Sequence, residues 1–149
     1  MESQPGEQAT GVVKFEQDSE FEACQISGLF KNLTPNHKHG FHIHQYGDLS
    51  EGCKTAGPHW NPEGKTHGGP GDSERHYGDL GNVQSDSNGN GEYKLSDHLV
   101  SLFGETSVIG RSCVLHKQTD DLGRGGDAES KKTGNAGARI SCGTIGLRA

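Results

Sequence analysis

The chain has 149 residues, the length of one ordinary domain, which excludes a large multidomain assembly on a single chain. Hydrophobic residues make up only 28% of it, so we expect a thin core, and a net charge of -6 is too small to keep so short a chain unfolded. The acidic balance argues against a nucleic-acid binder, and no apolar run is long enough for a membrane helix.

Short runs with a β-strand pattern, separated by Gly, Asn, Asp and Ser, predict an all-β domain. In chain order the predicted strands cover residues 10–16, 21–30, 39–45, 91–95, 108–116 and 138–147. Residues 85–91 tolerate positive φ, as a hairpin turn between antiparallel strands demands. A sandwich or barrel of antiparallel strands follows from this pattern.

Two segments without strand periodicity, residues 46–79 and 117–137, are too long to be simple connections. They are rich in Gly, Pro, His and charged residues. Loops of this length inside one domain are usually functional or disordered, and the histidines favour function.

Histidines dominate the residues that could carry chemistry, and the chain has nine of them besides four cysteines. His42 and His44 are two apart in a predicted strand and therefore share one face, while Phe41 and Ile43 point to the core. A His-x-His pair alone more often lies at the protein surface without binding a metal. Here further candidates follow in the loops and at strand ends: His59, His67, His76, Asp79 and His116. Imidazole and carboxylate ligands suit zinc and copper, and the set is large enough for two metals.

Six segments together resemble the copper,zinc superoxide dismutase family, in its cytosolic type. They are residues 40–48 (GFHIHQYGD), 52–62 (GCKTAGPHWNP), 67–70 (HGGP), 75–82 (RHYGDLGN), 120–123 (DDLG) and 134–143 (GNAGARISCG). The resemblance spans residues 11–147. It implies one domain over residues 1–149, a Greek-key β-barrel or sandwich of about eight antiparallel strands with two long functional loops.

The resemblance also implies the metal ligands and the reaction. Copper would be held by His42, His44, His59 and His116, and zinc by His59, His67, His76 and Asp79, with one copper and one zinc ion per subunit. His59 would bridge the two ions as an imidazolate, because two divalent cations favour its deprotonation. A copper ion cycling between Cu(II) and Cu(I) would convert superoxide to dioxygen and hydrogen peroxide, as an antioxidant defence. His59 would also hold and return a proton.

The resemblance also implies residues that orient the metal ligands and attract the substrate. Asp120 matches a carboxylate that orients His42 and His67. Arg139 matches the family's catalytic arginine, which stays charged and can dock a small anion. Lys132, Thr133 and Glu129 match the loop that steers superoxide, which an acidic protein needs. Ala128 replaces a second acid and Lys131 adds a cation, although a solvated loop of mixed charge explains Lys131, Asp127 and Glu129 about as well.

The cysteines divide into two kinds under this resemblance. Cys53 and Cys142 match the family's disulfide, whereas their spacing alone would suggest free thiols. Cys24 and Cys113 are expected to be free, with Cys113 buried in its strand. Among the remaining histidines, His39 is expected to bond the backbone, and His37 and His98 to lie at the surface.

The N-terminus departs from the family pattern. Residues 1–9 are polar and do not alternate, and Pro5 cannot donate to a strand ladder, so we expect them to lie outside the barrel, with the first strand missing or replaced. The family's dimer surface draws on that strand, on residues 108–110 and on residues 145–147. We nevertheless expect a homodimer, in the cytoplasm, loaded by a copper chaperone.

Two other readings use the same residues. A metal buffer or copper chaperone of this fold would bind metal without turnover, but such chaperones generally lack some copper ligands. A zinc-only scaffold would leave His42, His44 and His116 without a role. The presence of every ligand together with Arg139 favours the enzyme.

Overall fold

A computed structural model describes all 149 residues and contains nine strands. The strands are β1 (Glu2–Ser3), β2 (Thr10–Glu16), β3 (Cys24–Lys31), β4 (Lys38–His44), β5 (Ser50–Cys53), β6 (Asp79–Gln84), β7 (Gly91–Asp97), β8 (Ser112–His116) and β9 (Arg139–Thr144). A single short helix, α1, covers Ser130–Thr133, and a 3-10 turn covers Lys54–Ala56. No helix has the length and apolar character that crossing a membrane requires.

Eight of the nine strands form two antiparallel sheets, which confirms the predicted fold class, and β5 lies outside both sheets. One sheet has the order β1-β9-β8-β4-β6 and the other the order β2-β3-β7. The six predicted strands correspond to β2, β3, β4, β7, β8 and β9, with shorter ranges for β8 and β9. Consecutive strands such as β3 and β4 lie in different sheets, so the chain crosses repeatedly between them.

The core lies between the two sheets and is small, as the composition indicates. It contains one cluster of 16 buried residues. Three rings hold its centre, with Phe30 to Phe41 at 5.5 Å and Phe41 to Tyr93 at 5.2 Å between centroids, both edge-to-face. Phe41 and Ile43 are fully buried in this cluster, as their alternation in β4 predicted.

The prediction that residues 1–9 lie outside the barrel is wrong for the first residues. Glu2 pairs with Cys142 and Ser3 with Ser141, so a two-residue strand takes the edge beside β9. The side chain of Gln4 extends this attachment, because its Oε1 accepts the Cys53 N–H at 2.9 Å. Polar residues suffice here because the strand bonds through its backbone, which composition does not reveal.

The sequence also did not predict β6. Its residues read Asp-Leu-Gly-Asn-Val-Gln, and Gly, Asn and Asp are unfavourable in strands. Leu80 and Val83 are nevertheless buried, and pairing with β4 overrides the local preference. This strand matters for the site because it begins at Asp79.

The two long loops pack against each other as well as against the sheet. The His67 N–H of the first loop donates to the carbonyl of Lys131 in the second at 2.8 Å. Arg124 of the second loop pairs with Asp72 of the first at 2.7 Å. The loops therefore cover the side chains of β4 that point away from the core, which explains why His42 and His44 are buried too.

Candidate metal centre

Seven buried side chains from four parts of the chain meet beside β4. They are His42 and His44 in β4, His59, His67 and His76 in the first loop, Asp79 at the start of β6 and His116 at the end of β8. Strands β6 and β8 flank β4, so Asp79 and His116 approach the β4 histidines from either side. An isolated bridge between His44 and His59 brings the loop against β4.

The first group of ligand atoms belongs to His42, His44, His59 and His116, and these atoms lie within 4.8 Å of one another. His44 Nδ1 donates to the carbonyl of Gly57 at 2.8 Å, and His116 Nδ1 donates to that of Gly137 at 3.0 Å. These carbonyls fix both tautomers and leave each Nε2 with a lone pair.

The two Nε2 atoms of His44 and His116 face each other at 3.3 Å. The Nδ1 of His42 is buried with no hydrogen-bond partner. Converging lone pairs repel one another unless a cation lies among them, so this arrangement fits a bound metal ion. All donors of the group are imidazole nitrogens, which suit copper.

The second group converges on one carboxylate oxygen. Asp79 Oδ1 lies 2.8 Å from His67 Nδ1, 3.1 Å from His59 Nδ1 and 3.2 Å from His76 Nδ1. Ligand atoms around a tetrahedral zinc with bonds of about 2.0 Å are about 3.3 Å apart, so the spacing fits zinc. Asp79 Oδ2 is held by the backbone N–H groups of Gly68 at 3.0 Å and His76 at 2.8 Å.

His59 belongs to both groups. Its Nδ1 lies 3.1 Å from both His76 Nδ1 and Asp79 Oδ1, which leaves Nε2 for the other group. Its ring centroid lies 4.0 Å from that of His42 and 5.0 Å from that of His44. One imidazole thus connects the two clusters through its two nitrogens.

Asp120 connects the clusters a second time, from outside. Its Oδ2 accepts from His42 Nε2 at 2.6 Å and its Oδ1 from His67 Nε2 at 2.7 Å. Both rings then present Nδ1 to the cluster, one in each group. Asp120 itself is buried and fixed by Asn82, whose side chain bonds both the Asp120 N–H (2.7 Å) and its carbonyl (3.0 Å).

Asn82 and Gly134 were not predicted to have a role in the site, although both lie in the motifs quoted above. Gly134 ends α1 with φ of 73°, and a Cβ there would collide with Asp120 Oδ1 and with His67 Nε2. Only glycine both adopts this conformation and leaves room for the carboxylate. A glycine directly before a polar motif was the available signal.

The protonation of the two groups differs. Burial, together with the neighbouring His59 and His116, holds the pKa of His42 and of His44 well below the ordinary value. Burial also lowers the pKa of His116, to about 4. The first group therefore consists of neutral imidazoles that need not lose a proton before binding a metal ion.

In the second group, hydrogen bonds between histidines and carboxylates outweigh the effect of burial on the pKa values. Burial lowers the pKa of His67, but hydrogen bonds to Asp120 and Asp79 outweigh it and raise the pKa to about 9. Burial raises the pKa of Asp79, yet hydrogen bonds from His59, His67 and His76 outweigh that and hold it far below its ordinary value. The site thus attracts a positive charge between His67 and Asp79.

An open cavity of about 890 Å³ exposes one side of the cluster. His44, His59, His76 and His116 line it, whereas His42, His67 and Asp79 do not. Arg139, Lys132, Thr133 and Glu129 also line it, so the structure brings the predicted steering residues to the cavity. Lys131 and Lys65 add two cations, of which Lys65 was not predicted.

The charged wall has internal bonds of its own. Thr133 Oγ1 donates to Glu129 Oε1 at 2.9 Å, which holds the acid against α1. Arg139 donates from Nη1 to the carbonyl of Cys53 at 2.9 Å. Cations outnumber the one carboxylate on this wall, so an anion is attracted locally despite the acidic chain.

The disulfide between Cys53 and Cys142 is present and joins the first loop to β9 across 89 residues of sequence. Cys24 and Cys113 are free and buried. His39 Nδ1 donates to the carbonyl of His116 at 2.9 Å, and this histidine lies outside both ligand groups. His98 is exposed, and His37 is half-buried with its Nε2 at 3.2 Å from the carbonyl of Lys117.

Comparison with known proteins gives one consistent result. Residues 9–145 match the sequence model of a family described as copper/zinc superoxide dismutase. A protein from Yarrowia lipolytica named superoxide dismutase [Cu-Zn] is 54% identical over 140 residues, which is 94% of this chain and 91% of that protein.

Proteins with the same name in two other fungi are equally similar. The one from Saccharomyces cerevisiae is 54% identical over 138 residues, 93% of this chain and 90% of its own. The one from Cryptococcus neoformans var. grubii is 53% identical over 137 residues, 92% of this chain and 89% of its own.

Proposed function

This chain belongs to the copper/zinc superoxide dismutase family, and from that premise we propose which residues hold the metals and handle the substrate. The chain is an oxidoreductase that converts two superoxide anions and two protons to dioxygen and hydrogen peroxide, with copper and zinc as cofactors. A role in antioxidant defence follows from this reaction.

The first group, His42, His44, His59 and His116, holds copper in this proposal. The observation that carries it is the pair of Nε2 lone pairs of His44 and His116, which face each other at 3.3 Å beside the open cavity. Copper bound there would supply the one-electron chemistry, alternating between Cu(II) and Cu(I) as successive superoxide anions arrive. Three of the four residues of this group line the cavity, against two of the four in the other group, which supports this group as the redox site.

Zinc is held by His59, His67, His76 and Asp79. A different set of ligand atoms within 4.8 Å of one another joins His42 to His59, His67 and Asp79. We favour His76 over His42, because His76 Nδ1 lies 3.2 Å from Asp79 Oδ1. The burial of His67 and Asp79 away from the cavity supports a closed, structural zinc site.

The protein residues then have separate tasks. Arg139 docks the anion on the cavity wall, and Lys132 draws it in together with Lys131, while Thr133 and Glu129 shape the wall between them. His59 Nε2 holds a proton and delivers it to the departing peroxide, since His59 is the ring shared by both groups and lines the cavity. Asp120 keeps His42 and His67 oriented.

A homodimer is part of the proposal. Val12, Ile109 and Leu147 are exposed apolar side chains beside a groove of about 630 Å³, which is rich in hydrophobic residues. Covering such a face is a common reason for pairing. Sedimentation of Leu147→Glu against wild type tests it, with a dimer expected to weaken and an unchanged mass arguing against this face.

We also propose a cytoplasmic location and loading by a copper chaperone. The two free buried thiols, Cys24 and Cys113, fit a reducing compartment. Cell fractionation tests the location. Copper content in cells that lack candidate chaperones tests the loading.

Metal analysis paired with a superoxide-consumption assay tests the central proposal. Copper and zinc each near one per chain with rapid turnover is the expected result; bound metal without turnover would favour a metal buffer. His116→Asn is expected to lose copper and keep zinc, and His76→Asn the reverse. Loss of the same metal in both variants would contradict the two-site assignment.

A further inference from the structure

Arg111 lies outside both ligand groups yet contacts the residue that follows each of two proposed copper ligands. Its Nη1 donates to the carbonyl of Gln45, the residue after His44, at 3.0 Å. Its guanidinium lies over the ring of Trp60, the residue after His59, with Cζ 3.3 Å from the ring centroid.

Both partners of Arg111 are themselves fixed. The Trp60 N–H donates to the carbonyl of Ile43 at 2.8 Å, and the Trp60 carbonyl accepts from Gly78 at 3.0 Å. The Gln45 N–H donates to the carbonyl of Pro58 at 2.8 Å. The segments that carry His44 and His59 are thus bonded side by side, and their isolated bridge lies between these contacts.

The loop that precedes β8, to which Arg111 belongs, holds the arginine and Trp60 in place. Its Nε donates to the carbonyl of Ser107 at 3.0 Å, and Trp60 Nε1 donates to the carbonyl of Thr106 at 3.3 Å. The loop before β8 therefore holds the arginine and the indole together. Arginine suits this position because its planar group can stack on a ring while its edge donates hydrogen bonds.

We propose that Arg111 is a positioning residue for the copper half of the site, acting through Gln45 on His44 and through Trp60 on His59. It sets the spacing of two rings that face the cavity: His44, which belongs to the copper group alone, and His59, which is shared with the zinc group. This inference rests on the proposed assignment of the first group to copper.

The test compares Arg111→Met, which keeps an unbranched apolar side chain without the guanidinium, with Arg111→Lys, which keeps a cation but not the planar group. Arg148→Met is the matched control, since Arg148 is exposed and lies away from the cavity. The readouts are Cu(II) affinity by chelator competition, the visible and electron paramagnetic resonance spectra of bound Cu(II), and Co(II) absorption at the zinc group.

We expect Cu(II) affinity to fall about tenfold in Arg111→Met, with shifted copper spectra. The Co(II) spectrum should change less, because only the shared ring of His59 connects Arg111 to the zinc group. The Cu(II) affinity of Arg111→Lys should lie between that of Arg111→Met and that of the wild type. Emission of Trp60, the single tryptophan, reports in the metal-free protein whether the stack has been lost. Trp60→Leu should match Arg111→Met, and the double variant should be no worse than either alone.

Wild-type copper affinity and spectra in Arg111→Met, while Trp60 emission shows that the stack is lost, would overturn the inference. Equal loss of copper and Co(II) binding would also overturn it, by showing a general structural role. If Arg111→Met does not fold, the same measurements of Cu(II) affinity, copper spectra and Co(II) absorption on Arg111→Lys and Trp60→Phe provide the test. Failure of wild type to bind copper at the first group would instead refute the proposed function.

Discussion

Arg139 donates a hydrogen bond from Nη1 to the backbone carbonyl of Cys53 at 2.9 Å, so the arginine on the cavity wall is held by a residue of the disulfide. Because Cys142 lies three residues beyond Arg139 on β9, the arginine and its acceptor are joined twice, once covalently and once by the hydrogen bond. The disulfide thus fixes the acceptor of an arginine on the proposed substrate site as well as supporting the fold.

Replacing both cysteines, in Cys53→Ser/Cys142→Ser, should lower the free energy of unfolding by about 4 kcal/mol, because the link closes a long loop in the unfolded chain. Activity should fall in the fully metal-loaded, folded fraction as well, since Arg139 loses its fixed acceptor. Denaturant unfolding and the activity of that fraction measure the two effects. Full activity per folded, metal-loaded chain would show that the disulfide is not needed to position Arg139.

Arg139→Glu should slow superoxide consumption tenfold or more and reverse its dependence on ionic strength. Salt screens attraction in the wild type and so slows it, whereas it screens repulsion in the variant and so speeds it. Arg148→Glu changes the net charge equally but lies outside the cavity, and should leave the salt dependence nearly unchanged. The same response in both variants would assign steering to overall charge.

Much of the fold and the position of the site could be predicted from the sequence. Alternation in residues 39–45 placed Phe41 in the core, and the ligand motifs indicated two metal groups. What could not be predicted depends on contacts distant in sequence. Ser3 pairs with Ser141 through the backbone alone, and the stack of Arg111 on Trp60 joins a loop to a strand end without any local pattern.

Asp120→Asn should weaken one of the two metal groups, because the carboxylate accepts from a ring of each and an amide keeps only one accepting oxygen. An amide can accept at only one end, so either His42 or His67 loses its partner, and affinity for the corresponding metal should fall about 10- to 100-fold. Chelator competition with each metal measures this. Asp127→Asn is a control in the same loop. An unaffected affinity for both metals would show that packing alone orients the rings.

The free thiols should be inert in the folded protein. Burial raises the pKa of Cys113 to about 12, and burial together with Asp97 raises that of Cys24 to about 11. Iodoacetamide at pH 8 should modify neither until the chain unfolds, and then two of the four cysteines. Rapid labelling of the native protein would contradict their burial.

The same shifts affect stability at high pH. Both thiols keep their protons in the folded state above the ordinary pKa of 9.0, where the unfolded chain loses them. Their contribution is therefore complete below pH 9 and declines between pH 9 and about 11. Cys24→Ala/Cys113→Ala should flatten this part of the curve of unfolding free energy against pH. If the slope of that curve above pH 9 is unchanged, groups other than these two thiols cause the loss of stability.

His67→Ala should remove zinc binding far more than copper binding. His67 Nδ1 lies 2.8 Å from Asp79 Oδ1, while no atom of His67 belongs to the first group. Its loss also frees one oxygen of Asp120 and so loosens the attachment of the first loop to the second, although the backbone N–H of residue 67 still bonds the carbonyl of Lys131. Copper affinity should fall only through that loosening, because His42 keeps its bond to Asp120 Oδ2. His98→Ala, an exposed histidine, is the control, and loss of copper with zinc retained would reverse the assignment of the two groups.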